Sequence, residues 1–217
     1  MSWHHICHLI INEDNYQLII FIQSSGHLGH ILKISMNTGP YYLLILAVLI
    51  QFAGVFDHSL WTPDEPRVAE IAREMSVTGN YLIPDFSGRV FLEKPPLYYA
   101  GAALFYRIFG TDSAGAGRIA SVILAVGTLL VLFCSTARLY SRTVAGAAAL
   151  VLASTLRFFD ASHKMIVDMG LVFFITLALF SFILAYKDDF KHGYKLFWIS
   201  LPLAFMTKGL VGIAIPG

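Results

Sequence analysis

The sequence is short of most features that would mark a soluble or nucleic-acid-binding protein. Its two cysteines, Cys7 and Cys134, give no disulfide framework and leave the redox compartment open; Cys134 sits in an apolar run and reads as a small buried thiol. Basic runs are missing and the formal net charge is +1, so nothing is available to replace the counterions of a phosphate backbone. Charge of either sign is scarce at 13%, against 57% hydrophobic residues, a balance far more apolar than a soluble domain carries. There is no internal repeat, low-complexity linker or separate soluble domain. What is left is an all-α integral membrane protein.

The chain divides at Met36. Residues 1–35 hold His4, His5, His8, His27 and His30, short apolar patches, and no run long enough to span. The histidines lack a ligand spacing, so a poorly ordered N-terminal extension is expected there rather than a metal site. From Met36 the pattern MNTGPYYLLILAVLIQFAG resembles a membrane-protein start. Residues 36–217 form the second region, and its end in the apolar stretch Leu210 to Gly217 leads us to expect a longer protein, of which this is the N-terminal part.

Candidate spans are Tyr41 to Phe56, Ile119 to Ala137, Thr143 to Phe159, Ile166 to Tyr186 and Leu196 to Met206, several of them somewhat short of the roughly 20 residues a bilayer requires. Leu97 to Phe109 is shorter and contains Arg107, so it is either a short span or a helix lying in the interface. Much of the charge is concentrated between the first and second spans, in Trp61 to Pro96. Thr62 reads there as an N-cap, with Pro63 at the first helical position and Glu65 completing a capping box, which predicts a helix to about Ser76. Val68, Ile71, Ala72 and Met75 follow the helical period, and a four-residue step back from Val68 places Asp64 on the same inward face, with Arg67 as its nearby partner. The simpler alternative is that Asp64 is a first-turn acid favoured by the helix dipole, worth roughly 0.3–1 kcal/mol.

Orientation follows from the basic residues. Arg138 and Arg142 at one turn and Lys187, Lys191 and Lys195 at another belong on the cytoplasmic side. Asp168 and Lys208 then fall at the opposite ends of their spans. The loop carrying Asp64, Glu93 and Lys94 joins them only if residues 97–109 do not cross. Charges gathered in this way at a membrane face are a functional hypothesis by default.

The residues DEPRVAEIAREM, then GNYLIP, FLEKPPLYY and FMTKG, resemble the polyprenyl-phosphate-sugar-dependent membrane glycosyltransferases, which include aminoarabinose transferases of lipid A and protein O-mannosyltransferases. The likeness covers about Met36 to Gly217, and Ala100 departs from it where many relatives have tryptophan. It implies a GT-C fold: a multi-helix bundle with a long first external loop carrying juxtamembrane helices. It implies further that Asp64 is catalytic, that Arg67, Lys94 and Lys208 hold the donor phosphate, and that Glu93 and Asp64 coordinate a divalent metal of open identity. Asp168 matches a second acidic position. The implied substrates are a polyprenyl-phosphate-linked sugar and a lipid or protein acceptor, used on the external face of the plasma (inner) membrane.

The residue types suit that chemistry. Loss of the sugar leaves negative charge on the polyprenyl phosphate, which fixed cations stabilise as it develops. An acceptor hydroxyl needs a base within hydrogen-bond reach, for which Asp64 is the candidate. Two other readings are a truncated remnant that inserts but does not catalyse, and a transporter. The transporter would need paired broken helices in two halves, whereas only one break, at Thr207-Lys208-Gly209, is visible. Glu65 is expected to cap, His163 and Lys164 to sit in a solvated turn, and Tyr98 and Tyr99 to anchor at the membrane interface.

Overall fold

The structure, a computed structural model, describes residues 7–12, 17–22, 31–35, 38–61, 63–111 and 113–216. Where the sequence leads us to expect a poorly ordered tail, the backbone forms an antiparallel meander of β1 (Cys7–Asn12), β2 (Gln17–Ile22) and β3 (Ile31–Ser35), with Cys7 opposite Ile22 and Gln17 opposite Ser35. The metal-ligand question for the five histidines lies outside the described residues, since only the backbone of His8 is included.

Helix α1 (Gly39–Phe52) begins with Pro40 in its first turn, where the missing N–H costs nothing, and ends before Gly54 at φ +83°. Its 14 residues make about 21 Å, short of a full hydrocarbon core. Helix α2 (Asp64–Thr78) follows and is closed by Gly79 in the left-handed region that glycine adopts without strain. The turn expected at Asp85 to Arg89 is a two-residue hairpin between β4 (Asp85–Phe86) and β5 (Arg89–Val90), with Ser87 and Gly88 both at positive φ. Helix α3 (Leu97–Phe109) has the limits expected from the sequence. It packs mainly on α2 and on the next helix.

Among the described residues, helices α4 (Ala114–Leu139) and α7 (Asp168–Lys187) are the two single helices long and apolar enough to cross a membrane. The run expected as one span over residues 143–159 is broken into α5 (Arg142–Ser154) and α6 (Leu156–Ser162), which meet at 71°. No proline is needed for this bend: the hydroxyls of Ser154 and Thr155 both donate to the carbonyl of Val151 and compete with the helical ladder. Helix α8 (Gly193–Lys208) and the short α9 (Val211–Ala214) complete the chain.

Two cores result. Inside the bundle Ala47, Ala125, Ala149, Ala153 and Ala161 pack with Leu129, Phe158 and Met169, the small side chains that let helices approach where lipid supplies no hydrophobic drive. Above it, Val68, Ile71, Ala72 and Met75 of α2 pack against Tyr98, Tyr99, Ala102 and Tyr106 of α3 and against Met165. Tyr98 and Tyr99, expected as interface anchors, are therefore buried, because α3 turns them towards α2 and α4. Cys134 is exposed on the outer side of α4 rather than buried, since Leu129 and Phe133 take the inward positions.

The helices alternate in direction. At one end the ring of His163 meets the Ala53 carbonyl at 2.8 Å, Ser121 donates to the Lys164 carbonyl, and Lys208 pairs with Asp168. At the other, Arg138 lies 3.9 Å from Asp188 and Arg142 stacks over Tyr41. The basic turns and the candidate site thus occupy opposite ends, as the charge pattern requires.

Candidate active site

The site is built on a buried ion pair. Glu65, one residue after Asp64, is 1% exposed, and Arg118, the fifth residue of α4, is 0% exposed. Arg118 Nε donates to Glu65 Oε1 at 2.7 Å and Nη2 to Oε2 at 3.0 Å, while its remaining N–H groups donate to the carbonyls of Val55, His58 and Ser59. All five guanidinium donors are used. The carboxylate accepts two further bonds, from Trp61 N at 2.7 Å and Met165 N at 2.9 Å. Burial pushes the Glu65 carboxyl up, but the Arg118 guanidinium and the two backbone N–H groups outweigh it and hold the group below its ordinary 4.5.

This geometry corrects the expected phase of α2. The inward carboxylate is Glu65, three residues before Val68 and four before Ala69, whereas the Asp64 side chain is 64% exposed. Glu65 does bond a backbone N–H before the helix, but that of Trp61, and the helix starts at Asp64. Thr62, expected as the cap, lies outside the described residues.

Asp64 stands at the opening. Arg67 Nη2 donates to Asp64 Oδ1 at 2.9 Å, and Nη1 reaches Glu93 Oε2 at 3.4 Å, so one guanidinium joins the α2 acid to the loop before α3. Phe91 lies beneath that guanidinium, 5.9 Å from ring centre to Cζ. Lys94 is half-buried and has no ion-pair partner among the described residues; with Glu93, Pro96, Phe205 and Gly209 it lines a cavity of about 380 Å³. Beside it an apolar cavity of about 210 Å³ runs between α3, α4 and α7, lined by Leu97, Tyr98, Phe105, Leu124, Phe174 and Thr207. A third cavity, of about 260 Å³, has Asp64 and Asp168 on its wall. Gly209, at φ +70° and ψ −142°, stops α8 directly after Lys208 and keeps that ammonium at the helix end.

The six expected residues thus share one end of the bundle. Contacts link Asp64, Arg67 and Glu93, and separately Asp168 and Lys208; Lys94 stands apart from both groups. Among the described residues no three His, Cys, Asp or Glu side chains come together as a metal cluster. The available donor set is the two carboxylates of Asp64 and Glu93, hard oxygen ligands of the kind used by a cation that keeps water and substrate phosphate in its shell.

Sequence reasoning missed Arg118. A lone arginine at the head of a long apolar run was the available signal, since an intramembrane or interfacial charge calls for a partner. His163, expected in a solvated turn, is 6% exposed, because its ring bonds the Phe159 and Ala53 carbonyls. Lys164 is folded over the Trp61 ring, 5.0 Å from its centre.

A family model described as dolichyl-phosphate-mannose-protein mannosyltransferase matches residues 93–217. The undecaprenyl phosphate-alpha-4-amino-4-deoxy-L-arabinose arabinosyl transferase of Yersinia pestis (strain Pestoides F) is 32% identical over 190 residues, which cover 85% of this chain and 34% of that one. Its counterpart in Aeromonas hydrophila is 32% identical over 162 residues, 72% of this chain and 29% of that one. The crystal structure of ArnT from Cupriavidus metallidurans bound to undecaprenyl phosphate superposes with a TM-score of 0.76 at 27% identity, over 83% of this chain and 34% of that one. The chain spans about a third of the length of these relatives.

Proposed function

Since the chain belongs to the dolichyl-phosphate-mannose-protein mannosyltransferase family and has the GT-C fold, we propose that it acts in a membrane glycosyltransferase that moves a sugar from a polyprenyl-phosphate donor to a lipid or protein acceptor. The observation that carries this reading is that Asp64, joined through Arg67 to Glu93, shares a cavity wall with Asp168, which pairs with Lys208 from a distant helix, next to a cavity that holds Lys94. The basic turns at Arg138 to Arg142 and Lys187 to Lys195 support a cytoplasmic position for their end of the bundle, and so a site on the non-cytoplasmic face of the inner membrane.

The donor phosphate lies against Lys94 and Lys208, with Arg67 as a bidentate partner, and its prenyl chain descends along the apolar cavity beneath Leu97. The acceptor oxygen attacks the anomeric carbon as the bond from that carbon to the phosphate oxygen breaks. The electron pair leaves with the phosphate, and the fixed cations stabilise the charge as it grows. A hydroxyl acceptor gives its proton to Asp64; a phosphate acceptor is already anionic, and Asp64 then orients it. One displacement inverts the anomeric carbon. Asp64 and Glu93 would hold a divalent cation, which would add positive charge at the donor phosphate.

The test is sugar transfer in membranes containing the protein with Asp64→Asn or Lys94→Ala. We expect losses of roughly 10²-fold or more for the aspartate, the size of a general-base contribution. Wild-type rates in both variants overturn the site. A wild-type protein that binds donor lipid without transferring sugar supports the non-catalytic alternative.

A further inference from the structure

The cavity between Asp64 and Asp168 has features that neither the phosphate nor the prenyl chain uses. Trp61, 63% exposed, presents a ring to it. The 71° bend at Thr155 carries α6 across its other side. Asp160 of α6 receives Lys164 at 2.5 Å and lies 3.7 Å from Arg157. The backbone of both walls is pinned by one carboxylate, because Glu65 accepts from Trp61 N and from Met165 N, next to Lys164.

We propose that this cavity is the subsite for a single sugar ring, that of the donor. The proposal rests on the glycosyltransferase reading above. A pyranose or furanose has C–H edges of partial positive charge that suit the negative face of an indole, and hydroxyls that donate and accept at once. Trp61 supplies the face. Asp160 and Asp168 accept from hydroxyls, and Lys164 and Arg157 donate to them, as charge-assisted bonds. The ammonium of Lys164 already lies over the indole and marks where a ligand ring would stack after displacing it. A volume of about 260 Å³ is on the scale of one monosaccharide. The donor's ring is favoured over a ring of the acceptor by continuity: Asp168, on this wall, pairs with Lys208, whose neighbours Phe205 and Gly209 line the Lys94 cavity. Sugar and phosphate subsites therefore adjoin, as the two halves of one donor require.

The experiment compares binding of undecaprenyl phosphate and of undecaprenyl phosphate carrying 4-amino-4-deoxy-L-arabinose to the protein in nanodiscs, with Trp61→Ala, Trp61→Phe and Asp160→Asn. We expect Trp61→Ala and Asp160→Asn to weaken the sugar-loaded lipid about tenfold, leave the sugar-free lipid within about twofold, and Trp61→Phe to restore most of the loss. Equal weakening of both lipids, or of neither, overturns the subsite. Unchanged donor binding with a raised requirement for acceptor in the transfer assay moves the ring to the acceptor and overturns the donor assignment. A wild-type protein that binds neither lipid sinks the glycosyltransferase reading and the subsite with it, a result distinct from the others.

Discussion

Asp64 and Glu65 are adjacent residues with nearly the same chemistry, and the structure gives them opposite environments. Glu65 sits under α2 with four hydrogen-bond donors around it and no access to solvent. Asp64 stands at the cavity mouth with one guanidinium beside it. A carboxylate that is completely satisfied has no bond left to offer a substrate; one that is partly satisfied does. The difference separates a residue that holds the site together from one placed to act in it.

The comparison breaks most severely at Arg118. In Arg118→Met the buried Glu65 charge loses its partner, and we expect about 3–5 kcal/mol of destabilisation, read as a lower thermal midpoint in detergent or as loss of folded protein. Adding Glu65→Gln to that variant should recover part of the loss, since neither charge is then stranded. Asp64→Asn, by contrast, should leave the thermal midpoint unchanged while transfer falls. A large stability loss there would erase the distinction.

A smaller effect is expected from Lys208→Ala, which frees Asp168 and removes one phosphate contact. A charge-assisted bond is worth about 1.5–3 kcal/mol, so apparent donor affinity should drop roughly ten- to a hundredfold, measured as donor concentration at half-maximal transfer. Acid sharpens the contrast further. The folded pKa of Glu65 is depressed, so its contribution to stability is full above the ordinary carboxylate value of 4.5 and disappears as pH falls through the lower folded value. The thermal midpoint should therefore be flat near neutrality and fall on acidification, with a shallower fall in Glu65→Gln. The smallest effect is expected at the other end of the bundle. Arg138 and Asp188 are both about half exposed at 3.9 Å, and Asp188→Asn should change stability by less than about 1 kcal/mol in the same melt.

The sequence made most of the helical frame readable, because apolar runs report membrane burial directly. Leu97–Phe109 matched at both ends, since prolines fix its start and Gly110 its end. That Asp168 and Lys208 lie at one end followed from charge asymmetry between turns; their direct pairing is a finding of the structure. The phase of α2 was not readable. Residues 64 and 65 differ by 100° around a helix, and the arginine that decides between them lies 53 positions on, in a different helix. The bend at Thr155 escaped for a related reason: hydroxyls can bond the preceding turn without interrupting an apolar pattern. Trp61 and Lys164 converge only once Glu65 has tied their backbones together, a bond no local pattern announces.

The Glu65–Arg118 pair also bears on how the protein is made. An unpaired arginine in an inserting helix costs up to about 2.5–3.5 kcal/mol on the translocon scale, and Arg118 heads the first long span after the loop. Its carboxylate lies 53 residues earlier in the chain, so the acid is synthesised before the base that it partners. The loop that precedes α4 thus carries the partner of the arginine near that helix's start, and the two segments are joined at one buried point.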